Sequence, residues 1–146
     1  MAEILNITAE QVIAALELQP HPEGGHYRES YRHQAADGAR GAMTAIYYLL
    51  RAAEISAWHR VNDADEIWHH YAGAALELSR YQTGATVERL LLGPDLLAGQ
   101  RPQAVIMAGQ WQSARSLGDW SLMGCTVGPA FQFESFEMAP KGWLPE

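Results

Sequence analysis

Between about residues 27 and 127 the chain runs in short stretches of alternating apolar and polar positions. Gly, Pro, Asn or Asp breaks them every eight to twelve residues. Alternation of period two over such lengths marks half-buried strands. It predicts nine, near 27–32, 43–50, 56–61, 66–72, 75–81, 85–92, 103–107, 111–115 and 121–127. No βαβ rhythm and no internal repeat interrupts them, so the pattern predicts an all-β antiparallel sandwich or barrel. A helical period occurs once, near the start, where Val12, Ile13 and Leu16 share a face. Thr8 and Gln11 form a capping box, Ile7 and Val12 have the spacing of a hydrophobic staple, and Pro20 lies beyond the expected end. Pro22-Glu23-Gly24-Gly25 reads as a loop, and Gly93 to Gly99 as a loop with one helical turn. Phe131, Phe133, Phe136 and Met138 read as apolar cover for the sheet.

Composition narrows the class. The chain has 146 residues, 48% of them hydrophobic and 18% charged, which predicts one globular domain over 1–146 with a sizeable core. Its net charge of -7, with ten Lys and Arg spread along the chain, argues against a nucleic-acid or anionic-membrane surface. No run reaches the roughly 18 apolar residues of a membrane span. The single cysteine, Cys125, excludes an internal disulfide framework and reads as a small buried apolar residue. With a start that lacks a basic secretory signal, this predicts a cytoplasmic protein.

Candidate chemistry gathers in residues 58 to 73, Trp-His-Arg-Val-Asn-Asp-Ala-Asp-Glu-Ile-Trp-His-His-Tyr-Ala-Gly. His59 and Glu66 lie seven residues apart across a turn-like Val61–Asp65. Two strands about that turn bring imidazole and carboxylate to one face. Such a pair can bind a metal, move a proton or simply hold the fold. His70 shares Glu66's face but sits roughly 13 Å along the strand, too far to share an ion with it. Asp63 and Asp65 read as turn residues, Arg60 as a surface residue, and His21, His33 and His69 as exposed or half-exposed. Trp58, Trp68 and Trp111 read as barrel-closing residues, with Trp68 able to stack on a ligand ring.

The run from His59 to Gly73 resembles the first motif of the cupin superfamily, in which two histidines precede a glutamate and a glycine. His59, Glu66 and Gly73 fit, and Val61 stands where the second histidine would be. The second motif is echoed by Met107-Ala108-Gly109-Gln110-Trp111-Gln112, with Gln112 in place of the third histidine. Pro22 to Glu29, Ala45 to Leu50, Glu66 to His69 and Cys125 to Phe131 are similar to the branch called cupin family 5. The resemblance implies a double-stranded β-helix (a cupin jelly roll) with a short N-terminal helix, as a homodimer. An N-terminal strand crossing to a partner would cover the open sheet edges.

Many cupins hold a metal with three histidines and a glutamate. Here that set reduces to His59, Glu66 and the amide of Gln112, a poor donor set for transition metals, so no cofactor is expected beyond a weakly bound divalent ion. Metal-free cupins include sugar-nucleotide epimerases, and Gly25 to Tyr31 resembles the strand with which they grip their ligand. By that resemblance Tyr27 and Glu29 line a ligand site, Tyr48 is the candidate opposite-face acid, and His59 is a catalytic base oriented by Glu66. Alternation puts Tyr27, Glu29 and Tyr31 on one face and Arg28 on the other. Three readings follow: an isomerase- or epimerase-type enzyme acting on a small polar, sugar-like ligand, a non-catalytic small-molecule-binding module, and a metal-dependent enzyme with a degenerate site.

Overall fold

A computed structural model describes residues 6–146. Helix α1 (Ala9–Leu16) begins at Thr8. The Thr8 hydroxyl accepts from the Gln11 amide at 3.1 Å, and the Gln11 side chain accepts from the Thr8 amide at 2.8 Å. Each of these bonds satisfies an N–H near the helix start that the helix itself leaves unpaired. The helix ends at Glu17 in the left-handed conformation. Eleven strands follow: β1 (Gln19–Pro20), β2 (His26–Arg32), β3 (Thr44–Arg51), β4 (Ile55–Val61), β5 (Asp65–Gly73), β6 (Leu76–Tyr81), β7 (Glu88–Leu92), β8 (Gln103–Ile106), β9 (Trp111–Ser116), β10 (Trp120–Gly128) and β11 (Phe136–Met138). All nine strands predicted by alternation are present, and a 3₁₀ turn occupies Leu96–Ala98.

The strands form two antiparallel sheets, a six-stranded one in the order β1-β2-β3-β10-β5-β8 and a five-stranded one in the order β11-β4-β9-β6-β7. Between them lies a core that includes Tyr48, Leu50, Trp68, Leu78, Ile106, Met123 and Cys125. Alternation puts the odd residues Met123, Cys125 and Val127 of β10 on one buried face. Val127 belongs to a smaller cluster with Val61 and Ala64, against which Phe131 and Phe136 pack. On the outside of the six-stranded sheet, α1 lays Ala9 and Val12 against Leu49 and Trp120. Trp58 and Trp111 pack around Trp143, at centroid distances of 6.0 and 4.8 Å, whereas Trp68 is inside the core.

Two bulges shift side chains from the faces that simple alternation assigns. In β2 the register slips between Glu29 and Tyr31, so Glu29 pairs with Ile46 and Tyr31 with the next residue, Ala45. Tyr31 therefore leaves the face of Tyr27 and Glu29 and is half exposed. In β4 three steps from Ser56 to His59 oppose two on β9, from Ala114 to Gln112. This extra residue lies beside the candidate site.

Candidate functional site

The loop Pro22-Glu23-Gly24-Gly25 turns back on itself. His21 N–H donates to the Gly25 carbonyl at 2.9 Å, and Gly24 N–H donates to the His21 carbonyl at 3.0 Å. Gly24 and Gly25 both have positive φ, and a Cβ on Gly24 would run into the Ile55 carbonyl. Only glycine allows the loop to lie this close to β4. There the β4 bulge frees Ala57 to bond the loop, its N–H donating to the Glu23 carbonyl at 2.8 Å.

His59 is fixed by the same junction. Its Nδ1 lies 2.7 Å from the Ala57 carbonyl, a group that only accepts, so Nδ1 carries a hydrogen. Its Nε2 lies 2.6 Å from a Glu23 carboxylate oxygen, with both side chains almost fully buried. At that separation the two groups form an imidazolium–carboxylate ion pair. Burial alone would lower the pKa of His59, but the charge and hydrogen bond of Glu23, with the Ala57 carbonyl, reverse that and raise it. Burial likewise works to raise the pKa of Glu23, and the charge and hydrogen bond of His59 bring it below the usual carboxylate value. His21 accepts from the Glu23 amide at Nδ1 (3.0 Å), and burial lowers its pKa, which favours the neutral ring.

Glu66 comes from the opposite sheet, on β5, whereas His59 is on β4. The Trp68 indole N–H donates to the Gln112 amide oxygen at 2.8 Å. Because indole is only a donor, it fixes the amide orientation, and the Gln112 NH₂ donates to Glu66 at 2.8 Å. Burial is the main influence on Glu66 and, reinforced by the charge of Glu23, raises its pKa from 4.5 to about 7. The charge of His59 and the contacts with Gln112 and Cys125 offset only part of this. Glu66 is therefore a carboxyl group poised between its two protonation states near neutrality.

These groups meet in a cavity of about 240 Å³. Its polar lining includes Glu23, His59, Glu66, His21, Tyr27 and Glu29, and its apolar wall includes Ile46, Val61, Val127, Phe131, Phe133 and Phe136. A larger cleft of about 560 Å³ lies between the five-stranded sheet and the C-terminal segment. No histidine among the described residues lines it, and its Glu77 and Arg115 pair with each other at 3.1 Å. Volume alone favours the larger cleft. The buried titratable groups favour the smaller one, and we place the candidate site there.

The structure brings His59, Glu66, Tyr27 and Glu29 to one cavity. It departs from the sequence expectation in four ways. Glu23, read only as a loop residue, takes the place beside His59 expected for Glu66, and both ring nitrogens of His59 are engaged. Tyr48, Trp68 and Gln112 do not line the cavity but lie fully buried outside its lining. Their polar atoms are committed to protein partners, the Tyr48 hydroxyl to the Gly24 carbonyl, and burial pushes the Tyr48 pKa well above 10. His21, expected at the surface, has a side chain only 7% exposed. The C-terminal phenylalanines form a wall of the cavity rather than a simple cover for the sheet.

Other residues lie as expected. Arg60 pairs with Glu137 at 2.8 Å and stacks over Trp111. Asp63 binds Arg40, Asp65 accepts from the Ala108 amide, and Arg28 turns outward to Glu17 at 3.2 Å.

The donor set does not fit a transition metal. Among the described residues no group of three or more His, Cys, Asp and Glu side chains could hold an ion. Gln112 presents its amide nitrogen, not its oxygen, to Glu66, and a nitrogen bearing two hydrogens is no ligand. His59 Nε2 is engaged by Glu23, and Val61 occupies a further ligand position.

Comparison with known proteins agrees with this architecture. A protein from Shewanella oneidensis is 40% identical, with a TM-score of 0.86 over 91% of this chain and 85% of its own. A hypothetical protein from Leishmania major is 30% identical, with a TM-score of 0.83 over 91% of this chain and 88% of its own. A protein with a double-stranded β-helix domain from Klebsiella pneumoniae is 14% identical, with a TM-score of 0.58 over 93% of this chain and 98% of its own, a likeness of fold alone. No curated protein matches. The model of the family described as cupin superfamily (DUF985) matches residues 10–139, and the chain belongs to that family.

Proposed function

We propose that the cavity binds a small polar ligand and that Glu66 moves a proton to and from it in isomerase-type chemistry. The observation that carries this reading is a buried carboxyl with a pKa of about 7 facing a cavity next to a fixed imidazolium. A general base works best when its pKa lies near the working pH, and Glu66 meets that condition without a metal. In its ionised form Glu66 takes a proton from a carbon next to a carbonyl, leaving an enediolate. The charge of His59, locked by Glu23 and the Ala57 carbonyl, stabilises that developing negative charge in a water-poor site. The proton of the adjacent hydroxyl passes within the ligand to the enediolate oxygen, Glu66 returns its own proton to the neighbouring carbon, and the carbonyl and hydroxyl have exchanged places. His59 acts here as a fixed charge, because neither ring nitrogen is free to take a proton. Gln112 and Trp68 are positioning residues that hold the Glu66 carboxyl at its angle to the cavity.

Incubation with hydroxy-carbonyl sugars, and with a dTDP-4-keto sugar for comparison, in deuterated water is expected to show deuterium entering next to the carbonyl of at least one of them. The rate should rise with pH through about 7 as Glu66 ionises. Glu66→Gln should slow the exchange by about 10²–10⁴-fold. Wild-type protein that catalyses no exchange on any of these compounds contradicts the reading.

A non-catalytic binding module is the second reading, favoured by the fact that both ring nitrogens of His59 are already bonded within the protein. It predicts that Glu66→Gln changes affinity alone, with no turnover to lose.

A further inference from the structure

We infer that the cavity selects an uncharged, polyhydroxylated carbonyl compound of monosaccharide size and excludes phosphorylated or nucleotide-linked ligands. The inference rests on the proton-transfer site proposed above but concerns what that site admits. Size is the first argument. The cavity measures about 240 Å³. The cavity is smaller than the roughly 300–1,000 Å³ of sites for drug-sized molecules. A nucleotide diphosphate would have to remain outside.

Charge is the second argument. Among the described residues no lysine or arginine lines the cavity, whereas Glu23, Glu29 and Glu66 do. The charge of Glu23 is already met by His59. At the mouth Arg32 grips Glu29 through two hydrogen bonds, of 2.8 and 2.9 Å, so this guanidinium is committed to protein. Arg28, the other basic residue of β2, reaches away to Glu17. An incoming phosphate would face Glu23, Glu29 and Glu66 with only the imidazolium of His59, already shared with Glu23, against its two negative charges, and an incompletely paired buried charge is strongly disfavoured.

The walls supply the third argument. Phe131, Phe133 and Phe136 pack edge to face on one another, with centroids 4.9 to 6.0 Å apart, and form a continuous apolar surface that adjoins the polar groups where Phe136 lies 5.3 Å from the His59 ring. A ligand with one C–H-rich face and one hydroxyl-rich edge matches that division. A wall of mutually packed rings differs from an open box of ring faces, which would favour a quaternary cation.

Calorimetry with wild-type protein tests this using D-fructose, D-glucose and dihydroxyacetone, their phosphate monoesters, dTDP-glucose and choline. At least one neutral sugar should bind ten times more tightly than its phosphate ester or more, with dTDP-glucose and choline weaker still. Glu29→Gln, which releases Arg32 at the mouth, should improve binding of the phosphate esters relative to that of the neutral sugars by about tenfold. Tighter binding of a phosphate ester, dTDP-glucose or choline to wild type overturns the inference, as does failure of every neutral sugar to bind. Binding of a neutral sugar without deuterium exchange removes the proposed chemistry and leaves the selectivity standing. Exchange on a phosphorylated compound alone does the reverse.

Discussion

Glu23→Gln is expected to cost about 3–5 kcal/mol of stability between about pH 4.5 and 6.5, because it leaves the buried His59 without its counter-charge. The loss should depend on pH in a definite way. His59 has a folded pKa above its ordinary 6.5, so its contribution is complete below that value and disappears as pH rises through the raised one. Glu23 has a folded pKa below its ordinary 4.5, so its contribution is complete above that value and disappears as pH falls through the lowered one. The pair therefore stabilises most between about pH 4.5 and 6.5 and loses effect on either side. Urea unfolding of wild type and variant from acid to alkaline pH should show their curves furthest apart in that window and converging beyond it. A difference that does not change with pH would show that the variant loses packing rather than a charge pair.

Glu66→Gln is expected to do the opposite to stability while removing activity. In the unfolded chain Glu66 ionises near 4.5, but the folded protein holds its proton to about 7. Wild type therefore loses stability steadily between those values and levels off above them, by roughly 3 kcal/mol in all. Glutamine removes that slope, and its amide oxygen can still accept from Gln112. Above pH 7 the variant should be the more stable protein by up to that amount, while proton exchange on substrate falls by about 10²–10⁴-fold, the usual worth of a general acid–base group. More stability with less activity marks a group kept under strain for chemistry. Equal stability of the two proteins at alkaline pH would show that Glu66 ionises freely in the fold.

Much of the scaffold could be read from the residues, because strand alternation and the Thr8–Gln11 capping box are local signals. Strand alternation put His59 and Glu66 on one face of a sheet, whereas they reach the same cavity from two different sheets. It gives the face of a residue and not its depth, which is why Tyr48, Trp68 and Gln112 looked like ligand contacts and prove to be supports outside the lining. The bulge in β2 was invisible to alternation, and it turns Tyr31 outward. Glu23 was missed for a different reason. It meets His59 only because a glycine-rich loop folds over a bulge in a distant strand, and no periodicity links the two. A signal did exist, since a carboxylate between a proline and two glycines, flanked by His21 and His26, is an unusual loop. Its glycines serve close backbone approach, which is how a loop residue is delivered into a core.

The account depends on a carboxylic acid at Glu66 that keeps its proton to near neutrality beside an imidazolium at His59. A pH titration followed by carbon NMR of the Glu66 carboxyl and nitrogen NMR of the His59 ring reads both directly. The predicted result is a Glu66 midpoint near 7, with both ring nitrogens of His59 protonated through neutral pH. A Glu66 midpoint near 4.5, or a His59 ring that becomes neutral below pH 6.5, would contradict it.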